Sequence, residues 1–183
     1  QHFFRGSEIQ RGLSFGIILE DDFRPCIRFP SDAAAFDFPP GFDLCWISER
    51  MAIGGREALA YNHIADVAAR ILGGVTAGQR YHWAVGAFGY VLSREGARKL
   101  LDYVSEDGFF GDVDVRMLAY SLTAEERARI SPHALSGQLM AEHLKSARPR
   151  QPLKTFAASV GLIGVVRSGS DRKDLNRMAA AAS

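Results

Sequence analysis

The chain has 183 residues, 47% of them hydrophobic and 23% charged, which is enough for one domain with a sizeable core. A formal net charge of +1 excludes the strongly basic surface typical of nucleic-acid binding, so no nucleic-acid partner is expected. No apolar run approaches the roughly 20 residues that a membrane-spanning helix needs, so no transmembrane segment is expected. Cys26 and Cys45 lack metal or redox spacing and are expected to be buried thiols of a reducing compartment.

The first predicted element is a strand over residues 13–20. Its apolar run, Ile17, Ile18 and Leu19, is bulky and partly β-branched. Such a run is typical of a strand that is buried on both faces of a mostly parallel sheet. We therefore predict an α/β fold with this strand inside the sheet.

The later elements follow from apolar spacing, from Gly and Pro breaks and from helix-capping residues. In chain order we predict a short helix from Ser31, a strand within 43–48, a helix within 63–72, a strand over 83–93, a helix from Ser93 to Asp107, a helix over 115–122, a charged and solvated segment over 121–129, and an apolar stretch over 156–166. We expect one domain over residues 1–171 and a frayed tail over 172–183.

Three consecutive carboxylates, Glu20, Asp21 and Asp22, end the first predicted strand. They fall at the carboxyl end of the strand, where ligands bind in open α/β sheets. Adjacent like charges repel unless a cation joins them, and carboxylate oxygens suit Mg²⁺ and Mn²⁺. The alternative interpretation is that the three acids only solvate the strand end.

Four segments match, in order and in spacing, the motifs of a known family. They are Ile-Ile-Leu-Glu-Asp-Asp at 17–22, Asp-Leu-Cys-Trp-Ile at 43–47, Gly-Ala-Phe-Gly-Tyr-Val-Leu-Ser-Arg-Glu-Gly-Ala-Arg-Lys-Leu-Leu at 86–101 and Asp-Val-Asp at 112–114. Over roughly residues 8–171 the sequence resembles glycosyltransferase family 25, which includes bacterial lipopolysaccharide and collagen galactosyltransferases. The resemblance implies a single-domain GT-A-like nucleotide-diphospho-sugar transferase fold. Because the family's upstream strands are not found before Glu8, we expect the N-terminal part of the family domain to be missing.

The resemblance implies a hexosyltransferase. It would move a hexose, galactose in the first instance, from a UDP-sugar donor to a saccharide acceptor such as lipopolysaccharide, with Mn²⁺ or Mg²⁺ and with inversion at the anomeric carbon. The implied location is the cytoplasm, at the inner face of the membrane, with peripheral association through the acceptor.

The resemblance also implies roles for the acidic residues. Asp22 would bind the metal, and Glu20 would bind the metal, its water or the ribose. Asp21 would orient these groups or contact the sugar. Asp114, with Asp112 as the second choice, would be the base that accepts the proton of the acceptor hydroxyl. Both could instead cap the following helix, which is worth ~1 kcal/mol.

Three residues of the long motif are expected to bind the donor. Gly89 and Tyr90 would let the backbone approach the sugar, and Arg94 would reach a phosphate. The alternative interpretations are ordinary strand packing for the glycine and a solvated first-turn position for Arg94. Trp46 is either a sugar-stacking residue or part of the core.

Rival functions remain. A phosphoreceiver domain also places acids after its first strand, but residues 23–42 are too few for the helix–strand–helix that would follow. A hydrolase with paired carboxylates is disfavoured because the acids cluster at one strand end. A transferase-like domain that binds a sugar or a partner without turnover stays open.

Overall fold

The computed structural model describes residues 14–20, 23–25, 37–52, 59–72, 89–108, 113–131, 144, 147–148 and 150–165. Within these ranges the chain is a mixed α/β protein with a five-stranded sheet, a two-stranded sheet and flanking helices. The strands are β1 (Phe15–Leu19), β2 (Phe23–Pro25), β3 (Leu44–Trp46), β4 (Tyr61–His63), β5 (Gly89–Ser93), β6 (Thr155–Ala158) and β7 (Ile163–Val165). The helices are α1 (Ile64–Leu72), α2 (Arg94–Asp107), α3 (Val113–Ser121), α4 (Ala124–Ala128) and a 3-10 turn at Glu49–Met51.

The larger sheet has the order β1-β5-β3-β6-β4 and is mostly antiparallel. Among the described strands of this sheet, β3 and β6 are the one parallel pair, whereas β5 runs antiparallel to both β1 and β3. The expectation of a mostly parallel sheet was therefore wrong. The smaller sheet pairs β2 with β7.

Strand β1 forms as predicted, but among the described strands it lies at the end of the sheet order, with β5 as its neighbour. Phe15 and Ile17 on one face are each 43% exposed, while Ile18 on the other face packs against the core. The prediction of burial on both faces was wrong for Phe15 and Ile17, because a run of bulky residues does not reveal what packs on each face of a strand.

The core divides into two clusters that lie on opposite faces of the sheet. Alternate residues point to opposite faces, so Leu44, Trp46 and Tyr90 join the helices in the main cluster. Cys45 and Val91 join β7 in the second cluster. Cys45 is a fully buried free thiol whose pKa burial raises to about 12. The prediction of a buried thiol is confirmed for Cys45, and Cys26 lies outside the described residues.

Helix α2 begins at Ser93, as predicted. The Ser93 hydroxyl accepts a hydrogen bond from the amide of Gly96 at 3.0 Å, a side-chain N-cap. The helix ends at Gly108, whose φ of 77° suits glycine. The predicted break at Asp107-Gly108 is thus confirmed.

Asp43, just before β3, joins the start of α2 to the sheet. Its buried carboxylate accepts hydrogen bonds from Lys99 Nζ at 2.9 and 3.0 Å and from the Lys154 amide at 2.8 Å. Its carbonyl accepts from the Ser93 amide at 3.0 Å. The helix packs so closely here that a Cβ added to Gly96 would overlap this carbonyl.

The segment after α3 is largely solvated, as predicted, since residues 123–125, 128 and 129 are exposed. It also contains α4, which begins with a capping box between Thr123 and Glu126. Arg127 of this helix is buried, and its guanidinium donates to the carbonyls of Ala119 and Ala147. These carbonyl acceptors stabilise the buried guanidinium, and the charge pattern of the segment gives no sign of them.

The contact at Gly96 generates a stability prediction. Gly96→Ala should lower the free energy of unfolding by about 1–3 kcal/mol despite the better helix propensity of alanine, because the methyl group meets backbone that cannot move aside. Gly16→Ala is the matched control, since a Cβ there meets nothing within 4 Å. Urea unfolding of both variants measures the difference, and equal stabilities would contradict this packing.

Candidate functional site

Three strands of the larger sheet end at the same edge. Because β5 is antiparallel to both β1 and β3, and β6 is parallel to β3, the carboxyl ends of β1, β3 and β6 point the same way. Strands β4 and β5 begin at this edge. We call it the strand-end edge. Glu20 lies there, directly after β1.

Glu20 and Tyr90 are neighbours at the strand-end edge. The register pairs Ile18 with Tyr90 and Leu19 with Gly89, so Glu20 follows the last pair. Burial first, and the Glu20 carboxylate second, raise the pKa of Tyr90 to about 12. The Tyr90 hydroxyl therefore keeps its proton at neutral pH and can donate a hydrogen bond. Three of the predicted site residues, Glu20, Gly89 and Tyr90, are thus brought together.

The ring of Tyr90 also forms part of the core. Its side chain lies 5.9 Å, centroid to centroid, from the ring of Trp46. Trp46 is completely buried in the main cluster. The structure therefore supports the core interpretation of Trp46 rather than an exposed sugar-stacking surface.

Further hydrogen-bond donors lie at the strand-end edge. Trp46 Nε1, Ser48 Oγ and the Tyr61 hydroxyl are buried and have no hydrogen-bond partner among the described residues. Burial is the main cause that raises the pKa of Tyr61, so its hydroxyl keeps its proton. Trp46 shares the main cluster with Tyr90, whereas Tyr61 packs against the second cluster. The sequence reasoning missed Ser48 and Tyr61, because a single Ser or Tyr next to an apolar run carries no recognisable signal.

Gly89 lies in close packing contact with the smaller sheet. A Cβ at Gly89 would lie 3.2–3.3 Å from three side-chain atoms of Ile163 in β7. Ile163 is fully buried and also forms an isolated bridge with Ser48. The small β2–β7 sheet is therefore packed against the larger sheet through this glycine. This contact supports the ordinary packing interpretation of Gly89.

Arg94 lies at the opposite end of β1. Its amide donates to the Ser14 carbonyl at 3.0 Å, and the adjacent Ser93 pairs with Phe15. Six residues of extended chain separate Ser14 from Glu20, a distance of roughly 20 Å at about 3.3 Å per residue. The structure therefore does not bring Arg94 to the acidic end of β1.

Asp114 lies in the first turn of α3, which begins at Val113, two residues before the predicted start. Its carboxylate accepts a hydrogen bond from the Val115 amide at 2.8 Å. This contact satisfies one of the free amides of the helix start, so Asp114 has a structural role there. Asp112 lies outside the described residues.

The predicted metal ligands are only partly within the structure. Glu20 is described, whereas Asp21 and Asp22 lie outside the described residues. No group of three or more His, Cys, Asp or Glu side chains is gathered for a metal in the ranges that the structure covers. By residue type, Glu20, Asp21 and Asp22 offer only oxygen ligands, which suit Mg²⁺ or Mn²⁺.

Comparisons with protein-family models, with curated proteins and with solved structures gave no match to this chain. None of the helices in the described ranges has the length and apolar composition needed to cross a bilayer.

The contact of Gly89 with Ile163 can be tested by a double-mutant cycle. Gly89→Ala should lower the free energy of unfolding by about 1–3 kcal/mol through crowding. Ile163→Ala should cost about 2–5 kcal/mol through the cavity that it leaves. Because the smaller side chain makes room for the methyl group, the double variant should lose less than the sum of the two. Additive losses in urea unfolding would show that Gly89 and Ile163 do not meet.

Proposed function

We propose that the chain is a hexosyltransferase that moves a hexose, galactose in the first instance, from a UDP-sugar to a hydroxyl of a saccharide acceptor such as lipopolysaccharide. The proposal rests on the motif resemblance to glycosyltransferase family 25, a family whose members have a GT-A-like fold. The observation that carries it is the position of Glu20, beside Tyr90 and at the edge where β1, β3 and β6 end. In the family that the sequence resembles, this acidic strand end is the part expected to bind the nucleotide-sugar.

The acidic strand end would bind the diphosphate through a divalent ion. Glu20 and Asp22 would hold Mn²⁺ or Mg²⁺, which supplies charge neutralisation for the departing UDP. Asp21 would orient these ligands or contact the sugar. Without such neutralisation, three adjacent carboxylates would repel the diphosphate rather than bind it.

Tyr90 would act as a hydrogen-bond donor in the same site. Its raised pKa keeps the hydroxyl protonated beside the Glu20 carboxylate. Because the side chain is only 8% exposed, its ring is fixed by the core and its hydroxyl position is well defined. A phosphate or sugar oxygen would be its acceptor.

The transfer itself needs a base for the acceptor hydroxyl. As the hydroxyl oxygen bonds to the anomeric carbon, the bond from that carbon to the UDP oxygen breaks. The hydroxyl proton passes to a carboxylate. Asp114 is our first choice for this base and Asp112 the second, and attack from the side opposite UDP would invert the anomeric centre.

A second candidate function is a transferase-like domain that binds a sugar or a partner without turnover. The hydrogen bond from the Val115 amide to Asp114 favours it, because this bond gives Asp114 a structural role that needs no chemistry. Either function is compatible with a cytoplasmic protein that meets the inner face of the membrane through its acceptor.

Metal-dependent UDP binding tests the donor site. In calorimetry, UDP should bind in the presence of Mn²⁺ and not in the presence of a chelator. Asp22→Ala should abolish binding, and Glu20→Gln should weaken it by on the order of tenfold or more, as loss of a charged contact does. Arg94→Ala is the matched control and should leave binding unchanged, since Arg94 lies at the far end of β1. Unaltered affinity in Asp22→Ala would remove the proposed metal site.

Turnover of Asp114→Asn tests the base. Asparagine retains a capping oxygen, so stability should change little. Release of UDP from UDP-galactose in the presence of acceptor should fall by about 10²–10⁴-fold, while UDP binding persists. Asp102→Asn, an exposed carboxylate of α2 that pairs with Arg98, should retain full turnover. Full turnover in Asp114→Asn would exclude Asp114 as the base, and a wild-type protein that binds UDP but never turns over would favour the second candidate.

A further inference from the structure

The smaller sheet, formed by β2 and β7, continues the chain directly after the three acids. We call residues 20–22 the acidic link, since they connect the last residue of β1 with the first residue of β2. Leu19 pairs with Gly89 in the larger sheet, whereas Phe23 pairs with Val165 in the smaller sheet. The position of the acidic link therefore depends on both sheets.

The acidic link is short, which makes this dependence strict. Four Cα–Cα steps separate Leu19 from Phe23, so these two residues are at most about 15 Å apart. Carboxylates that share one metal ion must be placed to within about 0.5 Å. A small movement of β2 relative to β1 would therefore disturb the ligand positions, and a contact that fixes β2 against the larger sheet would preserve them.

Ile163 of β7 is the residue through which the smaller sheet meets the larger one. It pairs with Pro25 of β2, and its fully buried side chain packs against Gly89. The amides of Ile163 and Leu162 donate to the Ile47 carbonyl at 3.2 and 2.9 Å. The Ile47 amide in turn donates to the Gly89 carbonyl at 3.1 Å, so hydrogen bonds run from β5 through Ile47 to β7.

The chain that leads into β7 is held by further backbone contacts. Gly161 packs so closely on Glu49 in the 3-10 turn that a Cβ at Gly161 would overlap the Glu49 backbone. Ser48, just before that turn, forms an isolated bridge with Ile163. Strand β7 is thus fixed against β5, against Ile47 and Ser48, and against the 3-10 turn, while β2 is paired to its other side.

We propose that Ile163 is a positioning residue for the acidic link. Its packing on Gly89 fixes β7, and β7 fixes the start of β2 and with it the end of the link. Ile163 is apolar and supplies no ligand, so it acts only through the placement of the carboxylates. The inference rests on the proposed donor site, in which Glu20 and Asp22 hold the divalent ion.

The Mn²⁺ concentration that UDP binding requires tests the proposal. In calorimetry across a Mn²⁺ series, Ile163→Ala should raise the half-maximal Mn²⁺ concentration by about 10–100-fold, the usual loss when a group that orients metal ligands is removed. Excess Mn²⁺ should restore UDP binding, which it could not do for an unfolded protein. Ile64→Ala is the matched control, because Ile64 is equally buried but belongs to the main cluster. It should leave the Mn²⁺ requirement unchanged.

Ile163→Val and Ile64→Val repeat the comparison with a smaller loss of stability, so the test holds if an alanine variant does not fold. Ile163→Val should shift the Mn²⁺ requirement in the same direction by a smaller factor, and Ile64→Val should not shift it. Hydrogen exchange of the metal-free protein gives a second measurement. Peptides over residues 20–25 should exchange faster in Ile163→Val than in the wild type, and not in Ile64→Val.

Two kinds of failure can be told apart. Equal shifts in the Ile163 and Ile64 variants, or no shift in either, would overturn the positioning role while wild-type UDP binding leaves the donor site in place. A wild-type protein that binds no UDP at any Mn²⁺ concentration would reject the donor site and this role with it.

Discussion

The buried carboxylate of Asp43 is the interaction on which the arrangement of the sheet and its helices depends. The carboxylate accepts hydrogen bonds from Lys99 of α2 and from the Lys154 amide just before β6. The backbone carbonyl of Asp43 accepts a further hydrogen bond from the Ser93 amide, where α2 begins. These contacts fix where β5 ends and α2 begins. Since β5 carries Tyr90 at its other end, the same joint fixes the position of the strand-end edge relative to the helices. A charge buried with this many partners is costly to disturb.

Local patterns were sufficient to predict most of the elements but not their pairing. Ser93 as a helix cap, Gly108 as a helix end and the apolar spacing of α1 are short-range signals, and the structure confirms all three. The sheet depends on long-range pairing, which the run Ile17, Ile18 and Leu19 cannot encode. That run was interpreted as a parallel, doubly buried strand, but it pairs antiparallel with β5 and leaves Ile17 exposed. Arg127 was missed for the same reason, because its carbonyl partners are remote or belong to another helix.

The candidate site likewise combines features that local sequence indicated with features that depend on long-range pairing. The acids after β1 were identified from their adjacency, and the structure places Glu20 beside Gly89 and Tyr90. Arg94 was grouped with them because it belongs to the same motif as Gly89 and Tyr90. The five residues of β5 separate Arg94 from the strand-end edge. The buried donors Ser48 and Tyr61 lie on separate segments, as do Asp107 and its partners Arg148 and Arg150, and only the fold brings each set together. Spacing along the chain therefore does not show which residues the fold brings together.

The central claim is that the acidic end of β1 binds the diphosphate of a UDP-sugar through a divalent ion. The most direct test is a crystal structure with UDP and Mn²⁺, with the metal located by its anomalous scattering. The account predicts one anomalous peak at about 2.0–2.6 Å from carboxylate oxygens of Glu20 or Asp22, with the UDP phosphates as its other ligands. A peak elsewhere in the protein, or UDP bound away from the strand-end edge, would contradict it.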